Sequence, residues 1–168
     1  MSEEIVNKVA QSQLVTLDLA PYYPGEALVS FDLKPFLFMG LIIKEKEFRQ
    51  ALLDTDWSVY RDKIVAVTCT ADAIVPLWAY MLVASHLTGL ARDIMLGDEQ
   101  TARRQWVIQQ LHGIDLASMQ DKRVVVKGCG DKHIDAFAYL EITKILKPVV
   151  KSIMYGEPCS TVPVYKKS

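Results

Sequence analysis

The sequence predicts an α/β fold, a three-layer Rossmann-like sandwich around a mostly parallel sheet, with an N-terminal antiparallel strand pair. Three observations carry that expectation. Hydrophobic residues make up 51% of the 168 positions, enough for a sizeable core. Valine-rich runs of strand length alternate with apolar segments of helix length, the pattern of βαβ units. Most tellingly, Asp62-Lys63-Ile64-Val65-Ala66-Val67-Thr68-Cys69 returns as Asp121-Lys122-Arg123-Val124-Val125-Val126-Lys127-Gly128-Cys129, starting 59 positions later. Ile94-Met95-Leu96-Gly97-Asp98 returns as Ile153-Met154-Tyr155-Gly156-Glu157 at the same offset, which marks an internal repeat.

Taken in order, residues 3–11 have the spacing of a short amphipathic helix. Leu14-Val15-Thr16-Leu17-Asp18-Leu19 and Leu28-Val29-Ser30-Phe31-Asp32-Leu33 alternate as half-buried strands do. Pro21-Tyr22-Tyr23-Pro24-Gly25 breaks regular structure between them, and an antiparallel pair is the economical reading. Residues 36–53 place Leu37, Leu41, Ile42, Phe48 and Leu52 at helical spacing, with Lys44, Glu45, Lys46, Glu47 and Arg49 toward water, a surface helix. From residue 58 each repeat reads as strand, helix (73–87 and 135–146) and second strand. A further helix over 99–111 joins the halves and buries Trp106, Val107 and Leu111. The whole, 1–168, reads as one domain, with 1–57 as its N-terminal part and 58–168 as a tandem βαβ repeat. Strands joined by a helix run parallel, so their carboxyl ends are expected along one edge. Residues 73–91 contain no Asp, Glu, Lys or Arg and approach the length of a membrane span. Pro76, Ser85, His86, Thr88 and Gly89 within them, and strands on either side, predict a buried helix instead.

Charge narrows the partners. With 19 Lys and Arg against 20 Asp and Glu there is no global basic field, which argues against nucleic acid or a membrane surface as partner. The opening Met-Ser-Glu-Glu lacks the charged and apolar regions of a secretory signal, and a cytoplasmic location is expected. Three cysteines cannot all pair, and stable disulfides are rare in a reducing compartment, so thiols or thiolate ligands remain.

The cysteines are the sharpest chemical clue. Cys69 and Cys129 each follow a predicted strand, and Cys159 lies four residues beyond Tyr155. Ligands of open α/β sheets collect at the carboxyl edge, so three thiols are expected to converge there. A metal or cluster is the natural occupant: zinc or an iron–sulfur cluster on Cys69, Cys129 and Cys159, with Asp72 or solvent completing the shell and Asp98, Glu157 and His133 as weaker candidates. Asp72 also reads as the cap of the helix that follows. A second reading makes Cys129 or Cys159 the reactive thiol of an enzyme or sulfur carrier, with His133 the nearest base. A third takes the protein as a non-catalytic interaction module with structural cysteines. The loop Gly128-Cys129-Gly130-Asp131 could cradle an anion on its amides, but it lacks the phosphate-loop and dinucleotide patterns, so no nucleotide is expected. His86 and His112 read as structural, Trp57 and Trp78 as packing, and a homo-oligomer is compatible with the composition.

Cys69-Thr70-Ala71-Asp72-Ala73-Ile74-Val75-Pro76, Lys127-Gly128-Cys129 and above all Lys151-Ser152-Ile153-Met154-Tyr155-Gly156-Glu157-Pro158-Cys159-Ser160-Thr161-Val162-Pro163 carry a resemblance over essentially the whole chain. The sequence resembles the bacterial domain-of-unknown-function family 2480. The resemblance implies a cytosolic bacterial protein and supplies no reaction. Its association with gene neighbourhoods for iron–sulfur cluster assembly implies a role in handling iron, sulfur or clusters, with iron–sulfur assembly proteins as partners.

Overall fold

In the computed structural model, which describes residues 14–128, 130, 132–157 and 159–168, the strands form two sheets. β1 (Leu14–Leu17), β5 (Arg123–Val126), β6 (Ser152–Glu157) and β7 (Ser160–Lys166) make one, in the order β1-β5-β6-β7. β2 (Leu28–Asp32), β3 (Ile64–Thr68) and β4 (Asp93–Leu96) make the other, in the order β2-β3-β4. Every pairing is parallel except that of β6 with β7. The chain is thus a mixed α/β protein with mostly parallel strands, as its patterning predicts. The helix expected over residues 3–11 lies outside the described residues.

The expected antiparallel pair of β1 and β2 does not form. Each strand instead lies parallel to the first strand of one repeat, Leu14 opposite Arg123 and Leu28 opposite Ile64. The reason is local. Asp18 and Asp32 each accept a hydrogen bond from the backbone N–H two residues on, at Ala20 and Lys34, both at 2.9 Å. Each strand then runs through a buried leucine, Leu19 or Leu33, into a proline-bearing 3-10 turn at Ala20–Tyr22 or Lys34–Phe36. These are turns that carry the chain away from its own strand, where a hairpin would need it to double back.

Compactness divides the chain into two units. Residues up to Tyr23 together with Val107–Ser168 form an outer unit, and Pro24–Trp106 form an inserted one. Each contains a lone strand and one βαβ repeat. The repeats keep their 59-residue offset in the structure: α2 (Leu77–Leu87) and α4 (Ala136–Leu146) begin and end 59 positions apart. Asp62 and Asp121 both adopt positive φ, 59° and 56°, and donate their N–H groups to Leu90 O and Val149 O, each at 3.0 Å.

The inserted unit has three layers. On one face α1 (Glu45–Leu53) and α2 bring Phe48, Leu52, Ala79, Val83 and Leu87 against Phe31, Val65 and Val67. On the other, α3 (Glu99–His112) brings Ala102 and Trp106 to Ile64, Ala66 and Met95. Alternate residues of β3 thus serve opposite faces, as the pleat requires. Trp57 and Trp78 are partly buried packing against this core, and His86 stacks on Trp57 at 4.8 Å.

Two expected helix starts are corrected. The surface helix covers only Glu45–Leu53 of residues 36–53. Phe38 N–H donates to Ile42 O at 2.7 Å across a tight turn in which Met39 and Gly40 take φ of 51° and 71°. Leu41 and Ile42 are therefore exposed and not part of the buried stripe. Likewise α2 begins at Leu77, with Pro76 as its extended N-terminal flank and no side-chain cap. Proline disfavours helical geometry at the residue before it, so Asp72 is exposed in a bend upstream and caps nothing. No described helix is long and apolar enough to cross a membrane.

Candidate functional site

Among the described residues the expected thiol site does not assemble. Cys69 follows β3 in the inserted unit, partly buried, with its Sγ 3.7 Å from Ala71 O and its side chain against the core. Cys159 is exposed in the turn between β6 and β7 of the outer unit. Cys129 lies outside the described residues. Among the described residues no three His, Cys, Asp or Glu side chains come together to hold a metal ion, which overturns the metal- or cluster-binding expectation. The physical cause is the division into two sheets, which gives the strands two carboxyl edges where one was expected. Asp98 is occupied otherwise, accepting from Thr101 N–H at 2.8 Å at the start of α3. The Thr101 hydrogen bonds hold its carboxyl below the usual range.

What the outer unit does assemble is a polar cleft of about 550 Å³ at the carboxyl ends of β1 and β5. Asp18 and Lys127 follow directly on the paired residues Leu17 and Val126, and Lys127 N–H donates to Leu17 O at 2.9 Å. The Lys127 ammonium stands 3.6 Å from an Asp18 oxygen, both side chains partly exposed. That is longer than a charge-assisted hydrogen bond of about 2.8 Å, so Asp18 orients the ammonium without closing on it. Lys132, His133, Tyr139 and Tyr155 complete the working wall. Tyr139 donates to Lys127 O at 3.1 Å and Tyr155 to Gly128 O at 3.3 Å, which ties both rings to the loop.

Beside the cleft, Tyr23 donates to Asp135 Oδ2 at 3.3 Å and accepts from Asp135 N–H at 3.0 Å. Burial first, then the charge of Asp135, raises the Tyr23 hydroxyl above the ordinary phenol range, against the opposing pull of that N–H. Tyr23 therefore keeps its proton and fixes Asp135, whose other oxygen is 3.6 Å from His133 Nε2. His133, weighed from sequence only as a base for Cys129, is mostly exposed at the cleft mouth.

The inserted unit provides an internal comparison. At the common offset, Thr68 stands for Lys127, Cys69 for Gly128, Ala73 for Lys132, Ile74 for His133, Pro76 for Asp135 and Leu96 for Tyr155. Asp32, the counterpart of Asp18, is bound up by Thr70, which donates its hydroxyl at 2.6 Å and its N–H at 3.0 Å. Burial works to raise the Asp32 carboxyl, and these bonds with that of Lys34 outweigh it, so it lies below the usual range. The corresponding strand and helix of the inserted unit thus form with the uncharged Thr68, Ala73, Ile74 and Pro76 at the aligned positions. Reading the motifs as strands and cysteines missed Lys127, Lys132 and the two tyrosines. The signal that finds them is the strict alignment of the repeats, which shows where one copy is charged and the other is not.

The family described as a protein of unknown function (DUF2480) matches residues 3–167. No curated protein and no solved structure matches the chain.

Proposed function

The chain belongs to the DUF2480 family, and from that premise, which brings no reaction with it, we propose that the protein binds a small oxyanion-bearing molecule in the outer-unit cleft. Lys127 and Lys132 supply the positive charge, and the tyrosine pair forms the wall. One observation carries the reading: the cleft places Lys127 and Lys132 where the inserted unit holds the uncharged Thr68 and Ala73. Charge that folding does not require, gathered at the carboxyl edge of a parallel sheet, is the ordinary setting of a ligand site. The amino end of α4 opens just after Asp135 and adds partial positive charge. An overall charge of −1 confines the attraction to this site and favours a small ligand over an extended polyanion.

Calorimetric titration with inorganic phosphate and with acetate tests it. Loss of a charge-assisted hydrogen bond costs about 1.5–3 kcal/mol, so Lys127→Ala is expected to weaken binding at least tenfold, while Thr68→Ala, its counterpart, leaves binding unchanged. Absence of binding of either anion at tens of millimolar, or equal losses in both variants, would overturn the proposal.

A further inference from the structure

Tyr139 and Tyr155 also line a second recess of about 770 Å³ bounded by α4, β6 and β7. Its other principal walls are Leu140, Ile153, Met154 and Val164, an almost wholly apolar set. The two tyrosine rings meet edge to face at 5.5 Å and 75°. Their hydroxyls reach the polar loop at Lys127 O and Gly128 O, and their rings flank the apolar recess. Tyrosine suits such a boundary, having an apolar body and a polar tip.

Two of these apolar side chains face water: Leu140 is 70% exposed and Val164 52%. The inserted unit has exposed apolar residues at the matching places, Met81 for Leu140 and Leu96 for Tyr155. There, however, the described sheet ends at β4 and no counterpart of β7 raises a far wall, and Thr68 and Ala73 stand where the lysines would be. Among the described residues, apolar groove and lysine pair occur together only in the outer unit.

We propose that the ligand is amphipathic, an oxyanion head at Lys127 and Lys132 joined to an unbranched apolar tail that passes the tyrosine pair into the groove between α4, β6 and β7. This rests on the oxyanion reading of the cleft and adds the tail. Tyr139 and Tyr155 line both recesses, which favours one molecule reaching over the tyrosine pair, and Lys127 and Lys132 in the adjoining cleft favour an anionic head.

Titration of the full chain with acetate and decanoate, and with inorganic phosphate and decyl phosphate, all below their aggregation concentrations, separates the parts. Each buried methylene contributes up to about 0.8 kcal/mol, so even a half-covered tail is expected to bind at least tenfold tighter than the bare head. Leu140→Ser, at a position 70% exposed, should erase that gain and leave the affinity for acetate and phosphate intact. Lys127→Ala should weaken both members of each pair, and Met81→Ser should change nothing. If the short anions bind and the long ones bind no better, the tail falls and the head reading stands; if none binds, both fall. A tail gain lost in Met81→Ser but kept in Leu140→Ser would place the tail elsewhere. If Leu140→Ser instead dissociates an oligomer, measured by light scattering, while leaving the tail gain untouched, the groove belongs to a second copy of the chain and the proposal is overturned.

Discussion

At Gly128 the backbone has an aromatic ring where a side chain would begin: a Cβ there would stand 2.6 Å from Cζ of Tyr155, well inside contact distance. Glycine is what allows that approach. The inserted unit holds Cys69 and Leu96 at the two corresponding positions, a larger first residue with a smaller second. The exchange bears on how the cysteines read in sequence, since at the strict offset Cys69 corresponds to Gly128 and Cys129 to Thr70, so the two thiols are not equivalents of one another. Residue types alone suggested a shared thiol edge; the division into two sheets gives two edges in its place, and the one-residue offset between the thiols shows only when the repeat is aligned position by position. The pairing makes a double-mutant prediction. Gly128→Ala should destabilise by about 1–3 kcal/mol through overcrowding, and in a Tyr155→Leu background the same change should cost less than about 1 kcal/mol because the ring is gone. Urea unfolding midpoints of the four proteins check this; equal costs in both backgrounds would mean the ring does not select the glycine.

Elements were legible where period and length agreed. The strands of both repeats and the helices α2 and α4 follow from apolar spacing, and their gapless offset confirms the reading of two βαβ units. Helix starts were less legible, because proline and a positive-φ turn at Met39 and Gly40 act over two or three residues that apolar spacing ignores. The fate of the sheet edges was not legible at all. In the outer unit the edge of β6 is covered by β7. In the inserted unit, among the described residues, β4 has only β3 as neighbour, and its backbone is instead capped by side chains. Ile94 N–H donates to the Asp93 carboxylate at 2.8 Å, and Leu96 O accepts from Gln105 Nε2 at 3.0 Å. Ser152 stands where Asp93 does, in the copy whose edge another strand covers. Capped groups and a charge discourage pairing with another chain. Removing both caps, Asp93→Ala with Gln105→Ala, should therefore raise self-association, seen as growth of light scattering at fixed concentration, whereas Ser152→Ala should not. Unchanged scattering in the double variant would show that the edge is protected by something other than these caps.

The order of segments along the chain sets a difference between the two units that their similar architecture conceals. All strands of the inserted unit come from one continuous stretch, and its lone strand meets its repeat at close range, Leu28 pairing with Ile64, 36 positions later. The outer unit is assembled from both ends, and Leu14 pairs with Arg123, 109 positions later. The repeat told from sequence that two βαβ units exist. It could not tell which of them each early strand joins, since β1 and β2 carry the same Asp-Leu-x-Pro ending and both fit either partner by pattern. Only long-range pairing decides that, and pairing at a distance has an entropy cost that grows with the logarithm of the loop, here about 1 kcal/mol more for the threefold longer closure. Folding rates fall with the sequence separation of contacts, so the β2–β3 ladder should form before the β1–β5 ladder. Pulse-labelled hydrogen exchange read by mass spectrometry distinguishes the two, because amides of Ile64–Thr68 should gain protection in an earlier phase than those of Leu14–Leu17 and Arg123–Val126. Protection of all three strands in one phase would mean that neither sheet is stable until the other exists, and earlier protection of β1 would mean that local stability of the outer sheet outweighs the length of chain it must close.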